Sequence, residues 1–209
     1  MHPLNAQSTR AKLIEAATAA FVERGFDGTS IRDIASRADA NVAAVSYHFG
    51  GKDELYRAVI QAAFEALPES VPMPKLADNP DDPEACLRAW IHWHLERVLG
   101  QRRHPFGELL LREMRNPTPI MRGFVERAMK PVFEALVGIV AELLNCEKTE
   151  RIAREMSMSV LSQYVIYKHA DRLIAHFVPE YETDPTPTAE MADRIADFSI
   201  AGLRFLRRN

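Results

Sequence analysis

The 209-residue chain has only two cysteines, Cys86 and Cys146, and neither sits in a CxxC pair. That excludes a disulfide framework and the common paired-cysteine metal sites. No apolar run approaches the roughly 20 residues a bilayer-spanning helix needs. The opening segment, MHPLNAQSTRAK, has no hydrophobic core of the signal-peptide kind. A cytoplasmic protein without a membrane partner is therefore expected. Gly-rich phosphate loops, GxSxG and HExxH are all missing, so neither a cofactor nor an enzymatic activity is expected. A basic excess is missing as well, since the net charge is −3. Non-specific DNA coating rests on phosphate neutralisation and fits this balance poorly. Residues 1–52 hold six basic and five acidic side chains. If that segment binds nucleic acid, it does so through a local basic edge rather than bulk charge.

What is present is helical periodicity. Leu13, Ala16, Ala17, Ala20 and Phe21 form an i, i+3, i+4, i+7, i+8 stripe, with Ser8 or Thr9 as the cap before it and Gly25 as the stop after it. Thr29 or Ser30 can cap a second short helix carrying Ile31, Ile34 and Ala35, and Asp33 approximates a capping box with Ser30. Asp39 stands in a turn, where Asp tolerates left-handed geometry. Asn41 caps a third helix over 42–48. Gly50-Gly51 break it, and Asp53 begins a fourth with Leu55, Ala58, Val59, Ala62 and Ala63 inward. Helix, tight turn, short helix fits a helix-turn-helix, and it fits any small helical bundle equally well. The Pro- and Asp-rich residues 68–82 read as a linker. Beyond them helices are expected near 83–100, 105–115, 118–144, 148–178 and 187–207, with 178–187 a loop. Pro131 should kink or split the third of these, because it cannot donate to the carbonyl of Arg127. Nothing reads as a strand.

One stretch is dense enough to carry a resemblance. LIEAATAAFVERGFDGTSIRDIASRADANVAAVSYHFGGKDELYRAV is similar to the DNA-binding domain of TetR-type transcriptional regulators. The matching features are the alanine-rich first helix ending in Phe21 and Gly25, the TSIRDIA helix, the triplet Tyr47-His48-Phe49, and Lys52-x-x-Leu55. Two positions depart from the pattern. Asp39 stands where Gly is usual and Asn41 where Ser or Thr is usual, and both fit the required geometry. The segment FGELLLREMRNPTP, residues 106–119, resembles the CecR-like branch of that family. The resemblance implies an all-α protein: an N-terminal three-helix helix-turn-helix DNA-binding domain over 1–55, then a larger helical ligand-binding and dimerisation domain over 56–209.

The resemblance also implies roles. Tyr47 and His48 end the recognition helix and can donate to phosphate oxygens. Phe49 is a core anchor. Lys52 adds a charge beside the first backbone N–H groups of the fourth helix, and Thr29 and Ser30 can act likewise at the second. Arg10 and Lys12 can add contacts. Bases would be read by the exposed face of Asn41, Val42, Ala43, Ala44 and Ser46, a set suited to thymine methyl groups, with Arg37 as a further polar contact. So few contacts per unit imply a homodimer on a pseudo-palindromic operator in double-stranded DNA.

The segment AREMSMSVLSQYVIYKHA is apolar nearly all round, and 187–207 carries Ala189, Ala192, Ala196, Ser199 and Gly202. These last two helices are the candidate homodimer interface, as a four-helix bundle. An effector pocket for a small, largely apolar molecule would draw on Trp90, Trp93, Phe106, Leu110, Met114, Met121, Phe124, Tyr164 and Tyr167. The plain alternative for each of these is core packing. Arg112 and Glu113, set in an apolar helix, are polar handles or an ion pair. Coupling between the two domains would run through the fourth helix. A repressor released by its ligand is the leading reading, and an activator of the same fold is the alternative. A metal-dependent enzyme built on His92, His94 and His104 is a remote third, because residues i and i+2 of a helix do not share a face.

Overall fold

Caps written into the sequence set the start of the second and third helices. In the computed structural model, which describes residues 3–66, 72–99, 105–115, 117–169, 171–183 and 186–207, α1 spans Pro3–Arg24, α2 Ile31–Arg37, α3 Val42–Phe49 and α4 Lys52–Glu65. The Ser30 side chain accepts from the Asp33 amide, and the Asn41 side chain accepts from the Ala43 amide at 2.8 Å. Between them α2 ends in a Schellman turn. The Ala40 amide donates to the Ala35 carbonyl, the Asp39 amide to that of Ser36, and Asp39 holds φ 49°. Gly50, at φ 81°, closes α3 in the same left-handed region. One expectation is corrected here. α1 begins at Pro3, so Ser8 and Thr9 lie inside the helix rather than capping it.

The remaining helices are α5 (Pro83–Leu99), α6 (Pro105–Arg115), α7 (Pro119–Phe124), α8 (Lys130–Leu144), α9 (Arg151–His169), α10 (Asp171–Phe177), α11 (Glu180–Thr183) and α12 (Thr188–Leu206). No strand occurs among the described residues. The linker holds one 3-10 turn at Leu76–Asp78. The region expected to be loop around 178–187 contains α11, and the segment expected as a helix over 148–178 is helical over 151–169 and 171–177. Pro131 does interrupt its helix, by a definite route. Val125–Met129 widens into a π turn just before α8, which reroutes backbone bonds where the missing proline N–H would leave a carbonyl unpaired.

The chain packs as two compact units. Unit one is Met1–Pro68 with Arg103–Val125, and unit two is Glu69–Arg102 with Glu126–Asn209. This differs from a single boundary at 55/56, because α4 buries Leu55, Tyr56, Val59 and Ile60 within unit one, which also takes in α6 and α7. Unit one is centred on Leu13, Ala17, Ala20 and Phe21 of α1, Ile34 of α2, Val45 and Phe49 of α3, and the inward face of α4. Tyr56 meets Phe21 edge-on at 4.7 Å and Phe26 at 5.0 Å between ring centres.

Unit two is built from α5, α8, α9 and α12 around Leu87, Trp90, Ile91, Leu95, Ile139, Val140, Tyr164 and Ile195. Ala192, Ala196 and Ser199 are buried in this core, where α12 packs closely on α5. The small-residue stripe assigned to a partner helix is therefore spent largely inside the chain. Exposed ion pairs line the same α5–α12 seam: Arg88 with Asp193 and Asp197, and Arg204 with Glu84.

Candidate nucleic-acid interface

The outer face of α3 mixes apolar and polar side chains that are open to solvent. Asn41, Val42, Ala43, Ser46 and Tyr47 are exposed and Ala44 is half-buried. The Tyr47 side chain is 73 % exposed, so it does not pack against α1 as a core residue would. Val45 and Phe49 point the other way, into the core, as the helical period requires. The half-buried His48 ring lies edge-on to Tyr47 at 5.0 Å, which leaves both rings on the rim of α3.

Lys52 starts α4 with its ammonium 4.4 Å from the centre of the Phe26 ring. That cation–π contact holds the charge at the start of α4, next to the end of α3. Arg10 lies over Phe49 at 5.2 Å in the same manner. Two aromatic residues thus fix two cations that a glance at the sequence would leave on floppy stems. Around Gly50 and Gly51, an added Cβ would meet nothing within 4 Å. Positive φ explains the glycine at 50. Gly51 has extended backbone, φ 162°, and nothing within the chain demands glycine there.

Two sequence-based assignments are corrected. Thr29 is 2 % exposed, and its hydroxyl reaches the carbonyls of Gly25 at 2.8 Å and Ala20 at 3.1 Å. It ties the end of α1 to the start of α2 and does not face outward; Ser30, exposed, is the one of the pair that does. Arg37 is engaged rather than free. Its guanidinium donates two bonds to the Glu23 carboxylate, at 3.1 and 2.8 Å, with Asp33 also nearby. The bond from Arg37 holds the Glu23 carboxyl below its usual pKa. This fork pins α2 to α1 and competes with any base contact. Arg32, exposed on the same helix, was overlooked as a candidate; only its position on the outer side of α2 marks it.

Unit one also holds a buried polar junction. Glu113 is 4 % exposed, and both its oxygens are used. The Tyr56 hydroxyl donates to one at 2.5 Å, and the Thr118 amide donates to the other at 2.6 Å. Burial, then the bond to Glu113, pushes the Tyr56 phenol pKa far up. The neighbouring Arg112 donates to the carbonyls of Val22 and Glu23, both at the open end of α1. The charged pair in an apolar helix is thus not an ion pair. Each partner fastens α6 to a different helix of unit one.

The residues grouped as an effector pocket fall into both units. Leu110, Met121 and Phe124 belong to unit one, where Phe124 packs edge-on against Phe64 at 5.0 Å. Trp90, Trp93, Tyr164 and Tyr167 belong to unit two. The side chains of Phe106 and Met114 lie outside the described residues. In unit two, Trp90 and Tyr164 are fully buried, and the Tyr164 hydroxyl lies 2.6 Å from Nδ1 of His94. The His94 ring stacks on Trp90 at 4.7 Å. Burial, helped by the charge of Arg97, lowers the His94 pKa to about 4, so the ring is neutral at pH 7. A histidine weighed as a metal ligand is instead the partner of a tyrosine 70 residues away. No cluster able to hold a metal ion occurs among the described residues, and no described helix is long and apolar enough to cross a membrane.

Residues 13–59 match the family described as bacterial regulatory proteins, tetR family, and residues 83–203 match that described as HTH-type transcriptional dual regulator CecR, C-terminal domain. The chain is 27 % identical over 176 residues to the probable HTH-type transcriptional regulator ArpR of Pseudomonas putida, covering 83 % of this chain and 81 % of that protein. It is 47 % identical over 58 residues to the probable HTH-type transcriptional regulator YttP of Bacillus subtilis, a match spanning 28 % of each. A similar fold is seen in the structure of AibR in complex with isovaleryl coenzyme A and operator DNA. The TM-score is 0.60 at 21 % identity, over 96 % of this chain and all of that one.

Proposed function

Because the chain belongs to the TetR family of bacterial transcriptional regulators and carries a CecR-type C-terminal domain, we propose that it is a DNA-binding repressor released by a small, largely apolar effector. It acts as a homodimer on a pseudo-palindromic operator. The observation that carries the proposal is the outer face of α3: a 73 % exposed Tyr47 beside His48, with Lys52 held at the adjoining helix start. Tyr47, His48, Lys52 and Ser30 contact phosphates, while Asn41, Val42, Ala43, Ala44 and Ser46 face the bases of the major groove. Two such faces are needed for a site of useful length.

The dimer forms through α9 and α12. Phe198 and Phe205, 74 % and 89 % exposed, share the outer face of α12 with Ala201 and Gly202, and Met158 and Ile166 are exposed on α9. Exposed aromatic residues at that spacing mark a surface that is covered by a partner. The effector reading draws support from the aromatic interior of unit two and from AibR, whose structure holds an acyl-coenzyme A as well as DNA. A second reading, activation at some promoters, is favoured by the description of the matching C-terminal family as a dual regulator. The position of the operator relative to the promoter decides between the two.

Selection of bound sequences from a random DNA pool tests the proposal. The expected result is a pseudo-palindromic consensus that the double variant Tyr47→Ala, Lys52→Ala fails to enrich. A consensus without two-fold symmetry would discard the dimer, and equal enrichment by the variant would discard this face of α3 as the reader.

A further inference from the structure

Unit two contains a buried donor with nothing to donate to. The indole N–H of Trp90 is enclosed, in a residue 0 % exposed, and has no hydrogen-bond partner. Buried polar groups are nearly always paired, because an unmade bond costs the full desolvation of the group. The surroundings make the omission more telling. Trp90 stacks almost parallel on His94, at 9° between planes, and His94 is bonded through Nδ1 to Tyr164. This contact fits a tyrosine hydroxyl that donates to Nδ1, the arrangement adopted for the cluster. A neutral imidazole that accepts at Nδ1 carries its proton on Nε2 and presents a second N–H. The half-buried Trp93 lies 5.9 Å from His94 and 6.1 Å from Trp90 between ring centres, with the Arg97 guanidinium 6.0 Å from its own ring centre. The cluster therefore presents the Trp90 N–H, while Nδ1 of His94 is engaged by Tyr164.

We propose that Trp90, His94 and Tyr164 form the polar anchor of a ligand site in unit two, specific for an apolar molecule carrying one neutral hydrogen-bond acceptor of the carbonyl type. The inference rests on the effector reading above and narrows it to a chemical class. The acceptor receives the Trp90 N–H, with His94 Nε2–H as the second donor. Tyr164 holds the imidazole in the tautomer that makes this possible, so it is a positioning residue. The apolar body packs against the half-buried Trp93 and reaches the enclosed Trp90 edge by opening the core around it. A neutral carbonyl suits the site better than a carboxylate. Neither of the two donating groups, the indole and the uncharged imidazole, carries a charge to offset the lost hydration of a buried anion.

The test uses the full-length chain and its two tryptophans, which give two indole N–H resonances in a 15N spectrum, assigned with Trp93→Phe. Three probes share one apolar body: 2-acetonaphthone, 2-isopropylnaphthalene and 2-naphthoate. The ketone is expected to move the Trp90 resonance and to bind about tenfold more tightly than the hydrocarbon, the effect of one hydrogen bond of roughly 1.4 kcal/mol. The preference should vanish in His94→Phe while hydrocarbon binding persists. Equal affinities for ketone and hydrocarbon would overturn the anchor, as would a Trp90 resonance unmoved by 1 mM ketone; the indole then holds an ordered water only. Tighter binding of the naphthoate would overturn the neutral-acceptor class. Operator release, measured on the same samples, separates the two proposals. Hydrocarbon and ketone binding alike and both releasing DNA keeps the effector and removes the anchor. Ketone binding through Trp90 without release keeps the site and removes the effector role.

Discussion

Glu113 of unit one and Trp90 of unit two are both buried polar residues, and the chain treats them in opposite ways. Glu113 collects a tyrosine hydroxyl and a backbone amide, and the Thr118 hydroxyl lies at 3.1 Å as well. Trp90 collects nothing. A filled network fixes one arrangement of its neighbours, since each alternative strands a group. An unfilled one leaves a binding free energy to be collected by whatever brings the missing atom. The DNA-reading unit is thus fastened at its interior, through residues of α4 and α6, while unit two keeps an open valence beside its most aromatic helix face.

The largest break in this contrast is Glu113→Leu. It strands the Tyr56 hydroxyl and the Thr118 amide in an apolar setting and should destabilise unit one by about 3 kcal/mol or more, read from urea unfolding. Glu113→Gln keeps an acceptor and should cost about a third of that. Trp90→Phe is the matched control. It removes an N–H that has no bond to lose, so only ring packing is forfeited, about 1–2 kcal/mol. A Trp90→Phe loss as large as that of Glu113→Leu would mean that the indole is paired after all.

The pH dependence of unit two comes next in size. Burial holds His94 near pKa 4, against 6.5 when exposed. The unfolded chain therefore takes up this proton first on acidification. Stability from this group is intact above about pH 6.5 and falls as the pH drops towards 4. The loss between pH 7 and pH 5 is about 2 kcal/mol. His94→Phe should remove that portion of the slope, measured as the difference between the two proteins' unfolding curves at each pH. Parallel curves would show that the ring is open to water.

These contrasts also mark how far the sequence alone was readable. Ser30, Asp39 and Asn41 could be placed because caps and turns are local: partner and residue lie within three positions, and the side-chain chemistry names the geometry. The outward face of α3 followed from helical period. What escaped reading depends on distant partners. Thr29 looked like a phosphate contact until Ala20 and Gly25 were seen to hold its hydroxyl. Arg37 looked free because Glu23 lies 14 residues back on another helix. His94 meets Tyr164 across 70 positions. The division into units was hidden for the same reason. Nothing in the composition of α6 and α7 announces that they pack with α1 and α4 rather than with the helices on either side of them in the chain.

The smallest expected effects lie at the proposed DNA face, and they separate residues that build it from residues proposed to touch DNA. Arg37→Ala removes a guanidinium already shared with Glu23, so operator affinity at fixed salt should fall by less than about threefold. Gly51→Ala is the sharper case. Its extended backbone suits alanine, and an added methyl meets nothing in the chain. Folding stability should therefore stay within about 0.5 kcal/mol of the parent. If glycine stands at 51 because a phosphate strand passes close to the turn between α3 and α4, the methyl meets that strand instead, and affinity should drop about tenfold with the unfolding curve unchanged. Titration of a fluorescent operator duplex against both variants resolves this. An unaltered Gly51→Ala would move the DNA backbone away from this turn and leave Tyr47 and His48 to hold it from the other side.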